Sequence, residues 1–561
     1  MKILKYGAIA LVGLMSLNSC ADFLDQQPQS SLSQEQLFSD TKNMESYVQG
    51  LYKQWRDIHK EQIDIYLGTD EAAQGGVQNR DNLDKRQLDI YQDITTSNSV
   101  VLNAWNKRYA VIAAAATLLQ EKQPTVETAD SLTQVFVGDA SFLRAVNYFE
   151  LVMLFGDVPI VDYLNVSDGA RHPRSEVYAL MESDLKRAIE YLPTMEEQTD
   201  KSHATTRLAW AMLGKLYMYA DADVLREDGS SWRDYAKAAK AFKQVIDESG
   251  VGSTLPGTVD EIFGNTKDLD NPTIPAYGDG AEGTANVERE WVYAFRFGHA
   301  NGDENSIQWA MGSRAVSIMS TTGEAMCFWA GFDGMLPSDY CWKFKEDGGV
   351  WEKGDARRFV AFRGINENDS EMNPAEFNDP RNGWTAQLIG YCFGDELDPH
   401  TCKFEDPYVE EIGMNTYQSG RAVPFIRLGD IFLNYAECLY RTEGVSAALP
   451  YFNATRIRAL GRRGALQASA ISDETAFMHE MMDERMRELN FEGWRKFDLI
   501  RTGLLTGNDR NGVPIMQRNK NFADFGVGTV NPNYRYWPIP LDEINKNTDL
   551  QAQSNKQNPG Y

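Results

Sequence analysis

Aromatic rings set among glycine, serine and short polar side chains are the groups in this chain best suited to chemistry. Trp309, Phe328, Trp329 and Phe332 fall in one Gly/Ser-rich stretch, with Trp384 further on. A second run, Tyr66-Leu67-Gly68-Thr69-Asp70-Glu71, continues through Asn79-Arg80-Asp81-Asn82 to Tyr91. A sugar offers an apolar C–H face and a rim of hydroxyls. Rings pack on the face, while Asp, Asn and Arg hydrogen-bond to the rim. Trp329 leads the set, because small neighbours in Cys327-Phe328-Trp329-Ala330-Gly331 leave its ring room to face solvent. The candidate ligand contacts are Trp329, Trp309, Phe328, Trp384, Tyr66, Asp70 and Arg80. Each ring also has a core reading. Trp105, Trp210 and Trp494 lie on helical patterns and are assigned to packing.

Other chemistry fails on context. Gly278-x-Gly280-x-x-Gly283 fits a dinucleotide-binding pattern, but no apolar strand precedes it and no periodic helix follows. His479-Glu480 lacks the second histidine of a zinc protease, and six histidines are scattered singly. There is no Gly-x-Ser-x-Gly and no Walker A run. Among 81 acidic residues nothing singles out a carboxylate pair for glycoside hydrolysis. No catalytic residue, cofactor or metal site is therefore assigned. Glu484 with Arg487, Glu492 with Arg495, and Asp498 with Arg501 have helical i,i+3 spacing. They read as ion pairs joining the C-terminal block to the scaffold.

The elements that must position these groups are mostly helices. Thr128–Phe155 carries Phe142, Leu143, Val146, Phe149 and Val152 at helical spacing and stops at Gly156-Asp157-Val158-Pro159. Ser175–Leu192 repeats the pattern and ends at Pro193. Trp210-x-x-Leu213-Gly214-x-x-Tyr217 matches the first helix of a tetratricopeptide repeat, and Ala238-x-x-x-Phe242 matches the second. A further copy runs through Phe432, Tyr435, Ala436 and Leu439 to Ala448-x-x-x-Phe452. One such pair cannot bury its own face, so several must stack. Residues 251–424 differ. They are rich in Gly, Pro, Asn and Asp, and hold six of the twelve tryptophans in under a third of the chain. Loops of that length are usually functional.

The N-terminus and composition set the compartment. Lys2 and Lys5 precede a short apolar block that stops at Cys20. The block is too short to span a bilayer and reads as a secretory signal. Leu17-Asn18-Ser19-Cys20 resembles a bacterial lipobox, which would leave Cys20 lipidated as the only membrane attachment. The net charge of −26 argues against nucleic-acid binding. Beyond Cys20 there are Cys327, Cys341, Cys392, Cys402 and Cys438, with no Cys-x-x-Cys. Pairs such as Cys327 with Cys341 are open in an oxidising compartment, and one could brace the Trp329 loop.

Along nearly the whole mature chain these blocks resemble the SusD/RagB-like family of outer-membrane nutrient-binding lipoproteins. Phe23-Leu24-Asp25-x-x-Pro28 is similar to its N-terminal signature, and Phe142-Leu143-Arg144-Ala145 through Gly156-Asp157-Val158-Pro159 to its most regular helix and turn. Arg427-Leu428-x-Asp430 with Asn434-Tyr435-Ala436-Glu437 is another such block. Glu484-Arg485-Met486-Arg487-Glu488-Leu489 followed by Phe491-Glu492-Gly493-x-Arg495-x-Phe497-Asp498-Leu499 is a third. Trp537-Pro538-Ile539-Pro540 and the final Asn558-Pro559-Gly560-Tyr561 resemble the C-terminus. The resemblance implies a mainly α fold of about four irregular tetratricopeptide-like helix pairs with a loop-rich insertion as ligand face. It implies a cell-surface lipoprotein that captures oligosaccharides, or sometimes peptides, and hands them to a TonB-dependent outer-membrane channel without catalysis. The expected organisation is a signal peptide (1–19), an anchor and tether (20–39), a helical scaffold (40–250), the insertion (251–424), a last helix pair (425–465) and a C-terminal helix with loops (466–561). A hydrolase using the same aromatic cleft, or a peptide binder, are the alternatives.

Overall fold

The computed structural model describes residues 34–60, 63–74, 82–162, 169–263, 285–298, 303–311, 317–319, 325–327, 335–371, 399–401, 403–404, 419–471 and 473–561. The chain divides into an N-terminal unit, 1–49, and a unit spanning 50–561. The boundaries expected at 250, 424 and 465 all fall inside the second. In the first, the helix Gln34–Ser39 precedes the start of α1 (Thr41–Ile58), and Phe38 meets Tyr47 edge-on at 5.0 Å.

The larger unit is built on helices that follow one another as neighbours. α2 (Ser99–Lys122), α3 (Ser131–Phe155), α4 (Arg174–Tyr191), α5 (Thr206–Tyr219), α6 (Tyr235–Ser249), α7 (Leu428–Glu443) and α8 (Val445–Leu460) each pack on the next in this order. The starts are set locally. Asp130, Thr205 and Asp234 each accept the backbone N–H three residues on, satisfying a donor that the helix cannot. α3 is buried on every side from Phe136 onward, so its polar residues need internal partners. Arg144 forks onto Asp184 at 2.7 and 2.9 Å, and Glu150 takes Arg108 at 2.7 Å. The two tetratricopeptide matches fall on α5/α6 and α7/α8. At Gly214 the two helices leave no room for a side chain: a Cβ there would lie 2.6 Å from the Phe242 ring.

Small ribbons close the loop-rich region. β1 (Ala72–Gln74) pairs antiparallel with β3 (Met335–Pro337), and β2 (Trp291–Phe295) with β4 (Val423–Arg427). The β2/β4 ribbon clamps both ends of the intervening chain, and Trp55 fills the space behind it. The Trp55 ring meets Tyr293, Phe295, Phe425 and Phe142 at 5.1, 4.7, 5.3 and 5.6 Å. Three tryptophans of the loop-rich region, Trp291, Trp342 and Trp351, are core residues. Part of the tryptophan enrichment therefore serves packing. Trp105 and Trp494 are buried as expected, whereas Trp210 is half-exposed.

The C-terminal block, α9 (Glu474–Leu489) and α10 (Arg495–Thr502), docks through buried charge. Arg485 spans Asp430 (2.9 Å) and Asp498 (2.6 Å), while Arg501 grips Glu437 at 2.8 and 2.9 Å. The expected pairs Glu484–Arg487 and Asp498–Arg501 form, each at 2.8 Å. The expected pair Glu492–Arg495 does not. The helix breaks between α9 and α10, with Phe491 at φ 57 and Gly493 at φ 83, so the spacing no longer places the two on one face. Glu492 instead accepts from Lys403 (2.6 Å) and Arg427 (2.8 Å), and Arg495 goes to Asp70. Cys341 and Cys438 are free buried thiols, so the Cys327–Cys341 pairing is corrected. Cys392 and Cys402 lie outside the described residues, as does the Gly278–Gly283 motif.

Candidate ligand-binding face

Two stretches far apart in sequence meet at the β1/β3 ribbon. Ala72 faces Pro337, Ala73 faces Leu336 and Gln74 faces Met335. The chain leaving Gln74 enters 75–81, and the chain reaching Met335 comes from 328–334. Gln74 and Met335 sit at the same end of the ribbon. The short helix Ile307–Met311, which carries Trp309, packs beside β3. Backbone pairing thus brings 72–74 beside 335–337, with the 307–311 helix next to β3.

The base of the ribbon is tied down from within. Asp70 takes Arg495 through both oxygens, at 2.6 and 2.7 Å, and Arg518 at 3.2 Å. Burial alone would raise its pKa, but the two guanidiniums hold it below the ordinary carboxylate value. Ser338 donates its hydroxyl to the Asp70 carbonyl at 2.7 Å and its N–H to the Glu71 carbonyl at 2.9 Å. Asp89 is a second anchor. It accepts from the Gly68 and Gln74 amides at 3.1 and 3.2 Å, and from the Asn519 and Asn521 side chains at 3.1 and 2.6 Å. Asn519 also reaches the Thr69 and Ala72 carbonyls, and Asn521 that of Gln74. Gly68 sits at φ 71 with the Tyr91 ring 2.5 Å from where a Cβ would be. Only glycine meets both demands.

This geometry sorts the candidates. Tyr66 and Asp70 are 1% and 0% exposed. Tyr66 donates its hydroxyl to the Phe491 carbonyl at 2.5 Å. These two are corrected from ligand contacts to internal struts, since their faces and lone pairs are already occupied by protein. Trp309 lies on a helix at the ribbon. Phe328, Trp329, Trp384 and Arg80 lie outside the described residues. The residues missed from the sequence are Asp89, Ser338, Arg518, Asn519 and Asn521, which hold the base of the face. Only the polar run Arg518-Asn519-Lys520-Asn521 hinted at them. Among the described residues no group of three or more His, Cys, Asp or Glu side chains is arranged to hold a metal ion. His479 lines a separate depression of about 310 Å³ with Tyr235, Glu437 and Arg441. Among the described residues no helix is long and apolar enough to cross a membrane.

A mainly helical scaffold joined to small two-stranded ribbons is the fold class that these elements define. The fold superposes on the surface glycan-binding protein A from Bacteroides fluxus with TM-score 0.65, at 16% identity, over 93% of this chain and 99% of that one. The chain matches the SusD family model over residues 345–561 and the model described as starch-binding associating with outer membrane over 22–218. It belongs to the SusD/RagB-like family. Its relatives include SusD-like protein P2 of Formosa agariphila, 24% identical over 99% of this chain and 100% of that protein. The starch-binding protein SusD of Bacteroides thetaiotaomicron is 24% identical over 75% of this chain and 72% of its own length.

Proposed function

We propose that this protein captures a glycan at the end of the β1/β3 ribbon and delivers it to a TonB-dependent outer-membrane channel. A lipid on Cys20 holds it at the cell surface after removal of residues 1–19. The helix pairs act as an irregular tetratricopeptide-like scaffold. The observation that supports the reading is the pairing of Gln74 with Met335, which puts the described chain ends next to 75–81 and 328–334 at the same end of the ribbon. Trp329, Phe328, Trp309 and Trp384 would supply stacking faces and Arg80 a hydroxyl-binding fork. The starch and glycan binding named for its relatives supports the same ligand class. The protein works by binding, not by catalysis: its most conspicuous charged motifs, 484–501, serve as internal ion pairs.

The test is affinity electrophoresis and calorimetry against starch, other polysaccharides and a peptide mixture. Retardation by one glycan class, with the oligosaccharide recovered intact, is the expected result. Binding of peptides alone, or shortening of the glycan that vanishes on changing one Asp or Glu, would overturn it. Cys20→Ala should release the protein from the membrane fraction.

A further inference from the structure

We propose that Glu71 is a proton-dependent positioning residue of the ligand face: protonated, it keeps the base of the β1/β3 ribbon closed, and on losing its proton it loosens that base. The proposal rests on the reading of the ribbon as the ligand face. Glu71 immediately precedes β1, and its carbonyl accepts the Ser338 amide at 2.9 Å. Its side chain turns inward and is 1% exposed with the residue. One carboxyl oxygen accepts the Phe491 N–H at 3.0 Å, and the other has no hydrogen-bond partner. That single donor comes from a residue held at φ 57, outside the usual range for a side-chain-bearing residue.

The charged and titratable groups around Glu71 are engaged elsewhere. On its own segment Asp70 holds Arg495 and Arg518. Lys403 donates to Glu492 at 2.6 Å and to the Asn490 carbonyl at 2.9 Å. Tyr66 and the Cys341 thiol, both buried, face it as neutral groups. A buried carboxyl without a cation of its own favours the neutral form. Burial pushes Glu71 up to about 7, outweighing the Phe491 N–H and the more distant Arg495 and Lys403. Opening the ribbon base would return it to the ordinary 4.5. The raised value means the closed form binds the proton more tightly. Its advantage is full below about pH 4.5 and falls as pH rises towards and through 7. Between pH 6 and 8 the opening equilibrium should therefore grow about tenfold.

Hydrogen exchange of the full chain at pH 6, 7 and 8, corrected for intrinsic chemical rates, reads this directly. Amides of 66–74 and 335–342 should exchange about tenfold faster at pH 8 than at pH 6. Amides of α5 should show no such slope. Glu71→Gln should remove the slope and leave both strands protected at every pH, and Glu71→Met is the second neutral variant. A flat wild-type profile overturns the proposal, whether or not the variants fold, and so does a slope that survives in Glu71→Gln. Exchange is measured without glycan, so failure of starch to bind would count against the ligand-face reading alone.

Discussion

Glu484 and Glu71 are both buried glutamates, yet their surroundings drive them in opposite directions. Glu484 on α9 accepts Arg357 and Arg487 at 2.8 Å, Arg456 at 3.3 Å and the Thr455 hydroxyl at 2.7 Å. Burial would raise its pKa, but the three guanidiniums push it far below the ordinary value. Glu71, equally buried, has one amide donor and rises to about 7. Burial pushes both carboxyls towards the neutral form. The number of unspent cations within reach decides the sign. The C-terminal block uses saturated charge to lock helices in register. The ribbon base holds a carboxyl whose charge state is left to pH.

Four changes sharpen that contrast, taken from the largest expected effect down. Glu484→Gln leaves Arg357, Arg456 and Arg487 short of a buried counter-charge and should cost about 3–5 kcal/mol by urea unfolding. In the wild type this contribution is present above the ordinary carboxylate value and is lost only as pH falls towards the depressed one. An unchanged midpoint would show that the block is held by packing.

Glu71→Gln should carry the opposite sign, raising stability by about 3 kcal/mol at pH 8 and by progressively less towards pH 5. Destabilisation at pH 8 would mean that the Glu71 charge is compensated after all. Gly214→Leu supplies the uncharged reference. Driving a side chain into the Phe242 ring should cost about 2–3 kcal/mol, equally at pH 6 and pH 8. A loss that varied with pH would mean that the α5/α6 contact is coupled to charge. Trp329→Ala should barely move the melting temperature while lowering glycan affinity about tenfold, as expected for the loss of one stacking platform. Lower stability with retained binding would remove Trp329 from the site.

Much of the scaffold could be read locally. The helices at 131–155, 174–191 and 206–219 follow apolar spacing, and the first and third also a capping side chain, signals that act within a few residues. Gly214 stood out because only its size suits a close helix crossing. The pairs at 484/487 and 498/501 were legible because both partners share a helix. The pair at 492/495 misled because a left-handed Phe491 interrupts that helix, a break that no glycine or proline at 491 announced.

By itself the sequence pointed to the family through the resemblance of its motif blocks, and it determined the mainly helical fold and the aromatic and polar side chains on hand for the proposed ligand face, because these follow from short-range periodicity and residue identity. Tertiary structure alone decided which of those residues are struts. Gln74 meets Met335, Asp70 meets Arg495 and Asp89 meets Asn521 across hundreds of intervening residues. No local rule specifies such pairings, since they form only when the packed helices bring distant segments into register. The ionisation of Glu71 and Glu484 was hidden for the same reason. A carboxyl's charge depends on the cations around it, and those come from other parts of the chain.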